Sequence, residues 1–215
     1  MGAINPIHRG ASTDHGRQKK DLFVGLLRLE PIHQAHVPGL FDAGQHAEDW
    51  VYLPIPGFAS IREAEEWVGH AVHLAQLGQQ YTYVLVDPVH QHIMGSTRFL
   101  NIRAKHGGLE IGYSWLGHQF QRTSVNTETK FLLLKQAFEV MNAIRVELKT
   151  DSRNLRSQLA IERIGATREG VLRNHMIAQN HYRRDSVIYS ITDEEWPEIK
   201  ASLKQRLLDY NAMSS

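Results

Sequence analysis

The spacing of apolar residues changes period several times along the chain, and each change marks an element. Residues 81–86 and 92–100 alternate between apolar and polar positions across a short polar stretch at 87–91, which predicts a β-hairpin. A turn at Lys105-His106-Gly107-Gly108 leads into residues 109–116, whose alternation and aromatic content predict a third strand of an antiparallel meander. Upstream, Ala64, Trp67, Val68, Ala71, Val72, Ala75 and Leu77 recur at helical spacing. Ser60 with Glu63 opens that helix as a capping box, and Gly78 closes it. Residues 22–29 read as one strand, 35–43 as a short helix despite Pro38, and 50–58 as an aromatic, Pro-rich loop.

Beyond the meander, residues 131–141 are buried-helix material, 143–150 a strand, and 151–164 a helix that Gly165 ends. Residues 167–177 and 182–191 are β-rich, and Thr192 with Glu195 caps a last amphipathic helix reaching about Tyr210. The order is βααβββαβαββα, with about seven strands. A strand, crossover helix and strand at 109–150 require locally parallel pairing, so the sheet should be mixed, in an α/β (α+β) fold. Residues 1–20 are polar and aperiodic and are expected to form a loose arm, with the folded domain over 21–192 and a C-terminal helix and tail over 193–215.

Composition narrows the function. The chain has 215 residues, enough for one domain with a proper core, and its apolar runs are too short to span a bilayer. A net charge of +1 gives no global field to hold nucleic acid; the basic residues at 17–20 and the pair Arg183-Arg184 read as solvated charge. On a strand that pair alternates, so only one of the two faces any given surface. The absence of cysteine removes disulfides, thiol nucleophiles and thiolate metal sites together, and the N-terminus lacks the apolar core of a signal peptide, so a cytoplasmic protein is expected. His33/His36, His70/His73 and His90/His92 have spacings seen in metal sites, but no acidic partner falls within those spacings and no metal is expected.

The stretch Gln121-Arg122-Thr123-Ser124-Val125-Asn126-Thr127-Glu128 joins a strand to a long apolar helix. Unpaired amides and the positive end of the helix dipole collect at such a junction, and Arg122, Thr123, Ser124, Asn126 and Thr127 add donors, so a phosphate would be well received. An ordinary capped turn would carry the same residue types.

Five segments, in order, resemble the GCN5-related N-acetyltransferases and, within them, the RimJ/RimL-type branch. They are Glu110-Ile111-Gly112-Tyr113, Asn126-Thr127-Glu128, Arg145-Val146-Glu147-Leu148, Asn154-x-x-Ser157, and the run from Ile164-Gly165-Ala166 to Arg173. The resemblance implies a splayed sheet holding acetyl-CoA between two parallel strands, with its pyrophosphate at residues 121–127. The family's Gln/Arg-x-x-Gly-x-Gly/Ala pattern meets Gln121, Ser124 and Asn126 here. It implies Glu110 as the general base, acting directly or through water, and backbone amides around Tyr113–Trp115 to polarise the thioester carbonyl. It further implies Ser157 to protonate the thiolate and Asn154 to contact pantetheine. Direct transfer to a primary amine, a small molecule or a protein N-terminus, follows, with no metal. On the acceptor side Trp50 and Tyr52, in an irregular loop, and Arg98 are candidates. A non-catalytic module that keeps the fold is the competing reading, and homodimer formation stays open.

Overall fold

A computed structural model describes residues 22–24 and 27–213. The expected arm over residues 1–20 lies outside the described residues. The elements in chain order are β1 (Leu22–Val24), β2 (Leu27–Pro31), α1 (Val37–Ala43), α2 (Ile61–Gln76), β3 (Tyr81–Val86), β4 (Ile93–Arg103), β5 (Gly108–Leu116), α3 (Val125–Lys135), β6 (Arg145–Asp151), α4 (Leu155–Arg163), β7 (Thr167–Ile177), β8 (Arg183–Thr192) and α5 (Trp196–Met213). The single strand expected over 22–29 is instead two, β1 and β2, paired antiparallel. Alternation along such a run cannot register a reversal, because both arms carry the same period.

All the strands join one eight-stranded sheet in the order β1-β2-β3-β4-β5-β6-β8-β7. It is mixed, as expected: β5 and β6 pair parallel, and the other neighbouring pairs are antiparallel. Both faces are covered. On β3, Tyr83 and Leu85 enter the core cluster shared with α3, α4 and α5, whereas Val84 and Val86 enter the cluster under α1 and α2. That alternation is the period of the pleat. Trp196, Ile199, Leu203 and Leu207 tie the C-terminal helix into the larger cluster.

Local signals explain the helix boundaries. The Ser60 side chain caps α2 by accepting from the Glu63 amide at 3.3 Å, and the Glu63 carboxylate reaches one residue further back than a capping box requires, to the Ala59 amide at 2.9 Å. Pro38 lies in the first turn of α1, where a missing N–H costs nothing. Asn154 caps α4 by accepting from the Ser157 amide at 3.0 Å. The long helix after the meander changes pitch: α3 runs into a π-helical turn at Gln136–Val140.

Candidate active site

The parallel pair β5/β6 is paired only over Gly108–Leu109–Glu110 against Arg145–Val146–Glu147. Past Glu110 each strand stays bonded to its outer neighbour, β4 or β8, and no longer to the other. The sheet therefore opens into a cleft with satisfied outer edges and unpaired inner ones. A cavity of about 500 Å³ fills it, walled by β5, β6, the start of α3 and α4.

One end of this cavity gathers hydrogen-bond donors and positive charge. Ser124 is the residue before the first turn of α3, yet its side chain does not cap the helix; its hydroxyl instead donates to Glu128 at 2.7 Å. The first backbone bond of the helix runs from the Glu128 amide to the Ser124 carbonyl, and the Thr123 hydroxyl accepts from the Val125 amide at 3.3 Å. The amides of Asn126 and Thr127 are left facing the helix entrance, where the dipole is positive. Arg122 and Arg156 line the same end. Gln121 braces it, donating to Asp49 at 2.5 Å and to the Leu116 carbonyl at 3.2 Å, and accepting from Arg156 at 2.6 Å.

Ser124 and Asn126, standing where the family pattern has small residues, need no glycine. Ser124 has φ −66°, Asn126 is helical, and the left-handed residue of the loop is Arg122 at φ +63°.

The middle of the cleft is shaped by a β-bulge. Between the pairs Ser96–Trp115 and Arg98–Gly112, β5 carries one extra residue, and Tyr113 takes φ +49°. Arg98 sits 4.5 Å from the centre of the Tyr113 ring and 5.3 Å from that of Trp67, and donates to Gln80 at 2.9 Å. Burial pushes its pKa down to about 10. On β5, the Ser114 hydroxyl lies 2.7 Å from Thr97 and accepts from Lys130 at 2.6 Å. Lys130 is buried, and among the described residues no carboxylate pairs with it; burial alone lowers it to about 8.

The other end carries charge. Glu110 is buried, and its Oε2 takes the Asn101 amide at 2.7 Å and the Lys149 ammonium at 2.8 Å. Oε1 has no hydrogen-bond partner among the described residues. Tyr52, Met176 and Arg184 close this end.

Among the residues expected from sequence, Glu110, Ser157, Tyr113, Trp115, Gln121, Arg122, Thr123, Asn126, Thr127, Asn154 and Tyr52 line the one cavity. Ser124 and Val125 stand just behind its wall, and two acceptor-side candidates do not reach it. Trp50 is 1% exposed in the core under α1 and α2, where its ring lies 4.7 Å from Trp115 and its Nε1 donates to the Gly44 carbonyl at 2.8 Å. A loop rich in aromatics and proline was expected to wall a cleft. It does so through Tyr52, Leu53 and Pro54, while its carbonyls at Trp50, Leu53 and Ile55 are all met by the Gln179 amide and Trp50 itself turns into the core. Arg98 stands behind Tyr113 and serves the bulge rather than the acceptor.

Sequence reasoning passed over Lys130, hidden in a helix, and Lys149, and it read Arg184 as solvated charge, whereas the alternation of β8 leaves Arg183 exposed and buries Arg184. Their one available signal is a cation at an inward strand or helix position. The histidine spacing at 33 and 36 also gains an acidic neighbour, Glu30, which lies just outside that spacing in sequence. Glu30, His33 and His36 have ligand-type atoms within 4.8 Å of one another. Their hydrogen bonds describe an ion-pair cluster. The His36 Nδ1 accepts from the His33 amide at 3.2 Å, so Nε2 carries the proton and donates to Glu30 at 3.1 Å, while Arg28 also pairs with Glu30.

The fold agrees with that of known proteins. Residues 27–167 match the family model of the acetyltransferase (GNAT) domain, and the chain belongs to that family. A GCN5-related N-acetyltransferase from Brucella melitensis superposes with a TM-score of 0.82 at 27% identity, over 87% of this chain and 85% of that one. The uncharacterized N-acetyltransferase p20 of Bacillus licheniformis is 23% identical over 145 residues, 67% of this chain and 80% of that protein. RimL, a ribosomal L7/L12 alpha-N-protein acetyltransferase, in complex with coenzyme A, shares the fold with a TM-score of 0.71 at 21% identity, over 80% of this chain and 98% of that one. Among the described residues no helix is long and apolar enough to cross a membrane.

Proposed function

We propose that this acetyltransferase moves an acetyl group from acetyl-CoA to a primary amine by direct transfer in a ternary complex, as a member of the RimJ/RimL-type branch. The observation that carries the reading is the opened β5/β6 pair ending at an uncapped helix N-terminus. Unpaired strand edges suit the amides of pantetheine, and the free amides of Asn126 and Thr127, with Arg122, suit its pyrophosphate. That RimL, which shares the fold, forms a complex with coenzyme A supports the choice of cofactor.

In this reading each chemical need has a residue. The amine must lose a proton, and Oε1 of Glu110 is free to take it, directly or through a water, while Lys149 and Asn101 hold Oε2 and fix the carboxylate's orientation. The carbonyl must be polarised, and the bulge at Tyr113, on the cavity wall, frees a β5 amide from the ladder for that task. The departing thiolate needs a proton, for which Ser157 lies in the first turn of α4, on the cavity wall. No covalent enzyme intermediate is required, in keeping with a chain without cysteine.

Release of free thiol from acetyl-CoA, followed over a panel of small amines and peptides, tests the proposal. Amine-dependent release supports it. Binding of acetyl-CoA without release for any amine would favour a module that keeps the fold, and absence of both would remove the cofactor reading.

A further inference from the structure

The acceptor end of the cleft contains a positive charge that the transfer chemistry above does not use. Arg184 lies on β8 opposite Met176 of β7, and both side chains line the cavity beside Glu110, Tyr113 and Tyr52. It is 8% exposed, and its only hydrogen bond among the described residues is a long one, from Nη1 to the Tyr52 carbonyl at 3.5 Å. Its Nε is buried without any partner.

Neither nearby carboxylate hydrogen-bonds this guanidinium among the described residues. Asp151 receives Arg153 through Nε at 3.1 Å, Nη2 at 2.9 Å and the Arg153 amide at 2.9 Å. Glu110 is held by Lys149 and Asn101. Arg183, the next residue on the strand, points the other way and is exposed. A guanidinium whose Nε has given up its water without gaining a partner, and whose one hydrogen bond is long, is poorly compensated in the empty protein, and a ligand that supplies acceptors to the group relieves part of that cost. Burial indeed lowers its pKa, against the pull of Asp151 and Glu110.

The two Nη nitrogens, which are not among the buried unpartnered atoms, form a planar fork, the donor geometry that suits a carboxylate in two-point contact. Resting on the amine-transfer reading above, we propose that Arg184 is a specificity residue of the acceptor end and that the acceptor amine carries a carboxylate, which this guanidinium receives. Glu110 and Arg184 then read the two ends of one acceptor, the amine and the anion. Lys149, on the same side, adds to the bias against polycationic amines.

The test compares acceptors that differ in one carboxylate, with acetyl-CoA as donor and thiol release as readout. One arm pairs free amino acids with their α-amides. A second pairs C-terminally amidated peptides that begin with Asp or Glu with those that begin with Asn or Gln. Spermidine stands for acceptors without an anion.

We expect kcat/KM to favour the carboxylate member by about tenfold or more in one arm, and that arm identifies the source of the anion. In Arg184→Gln the preference collapses through a higher KM for the acceptor, with the KM for acetyl-CoA unchanged, and Arg184→Lys keeps part of it. Thermal unfolding of each variant checks that it folds; the wild-type comparison stands without them. Equal rates within every pair, transfer confined to spermidine, or a preference that survives in Arg184→Gln overturns the inference alone. No thiol release with any amine overturns the transferase reading and this inference with it.

Discussion

Replacing Lys130 by methionine should make the protein more stable, and the gain should depend on pH in a defined way. The ammonium is buried in α3 with one hydrogen bond, to Ser114, and burial lowers its pKa from 10.5 to about 8. At 1.36 kcal/mol for each tenfold change in proton affinity, the charged form costs the folded state roughly 3 kcal/mol. The sign follows from linkage. Below about pH 8 the amine is protonated folded and unfolded, so the full cost is present; between about 8 and 10.5 the unfolded chain holds the proton more tightly, and stability rises as pH rises.

Methionine has similar length and no charge, so Lys130→Met removes the cost and gives up one bond to a hydroxyl that can turn to water, worth about 1 kcal/mol. The net expectation is a gain of about 2 kcal/mol at pH 7 that disappears by about pH 10.5. Urea unfolding at both pH values, with an unchanged slope, measures it. The same substitution should slow transfer about tenfold, because the lost charge sits one hydroxyl away from the β5 backbone that would polarise the thioester. A variant that is less stable at pH 7, by an amount that pH does not alter, would refute the reasoning.

Glu110→Gln should lower kcat about a hundredfold or more while leaving the KM for acetyl-CoA nearly unchanged, read by thiol release; an unaltered kcat would remove the base. Ser157→Ala should reduce kcat about tenfold with unchanged acetyl-CoA affinity by calorimetry, since its hydroxyl is invoked only when the thiolate departs; a loss confined to affinity would make it a binding residue. Trp50→Ala should cost about 3–5 kcal/mol in urea unfolding, as for a large side chain removed from a core, whereas an acceptor-site tryptophan would change KM and spare stability.

What the sequence disclosed and what it withheld divide along the range of the interactions. The cap of α2 is legible because Ser60 and Glu63 settle it within one turn, and the order of strands and helices is legible because each period is local. The mixed sheet follows from one crossover rule applied to β5, α3 and β6. The bulge at Tyr113 leaves no mark, since a non-glycine residue at φ +49° is held there by Arg98 on the neighbouring strand. Trp50 misleads for the same reason: the residue that satisfies its loop, Gln179, is remote in sequence.

Within the cleft, residues of the motifs at 110–113, 121–127 and 154–157 come together as expected. Charged neighbours that no motif carries, Lys130, Lys149 and Arg184, emerge only once β5, β6 and β8 are set side by side.

A crystal structure of the full chain with coenzyme A tests the central claim most directly. The account predicts the pyrophosphate within hydrogen-bond reach of the backbone at residues 122–127, pantetheine between the separated edges of β5 and β6, and the thiol close to Glu110 and Ser157. Coenzyme bound at any other surface, or a cleft still empty at saturating coenzyme, would contradict it.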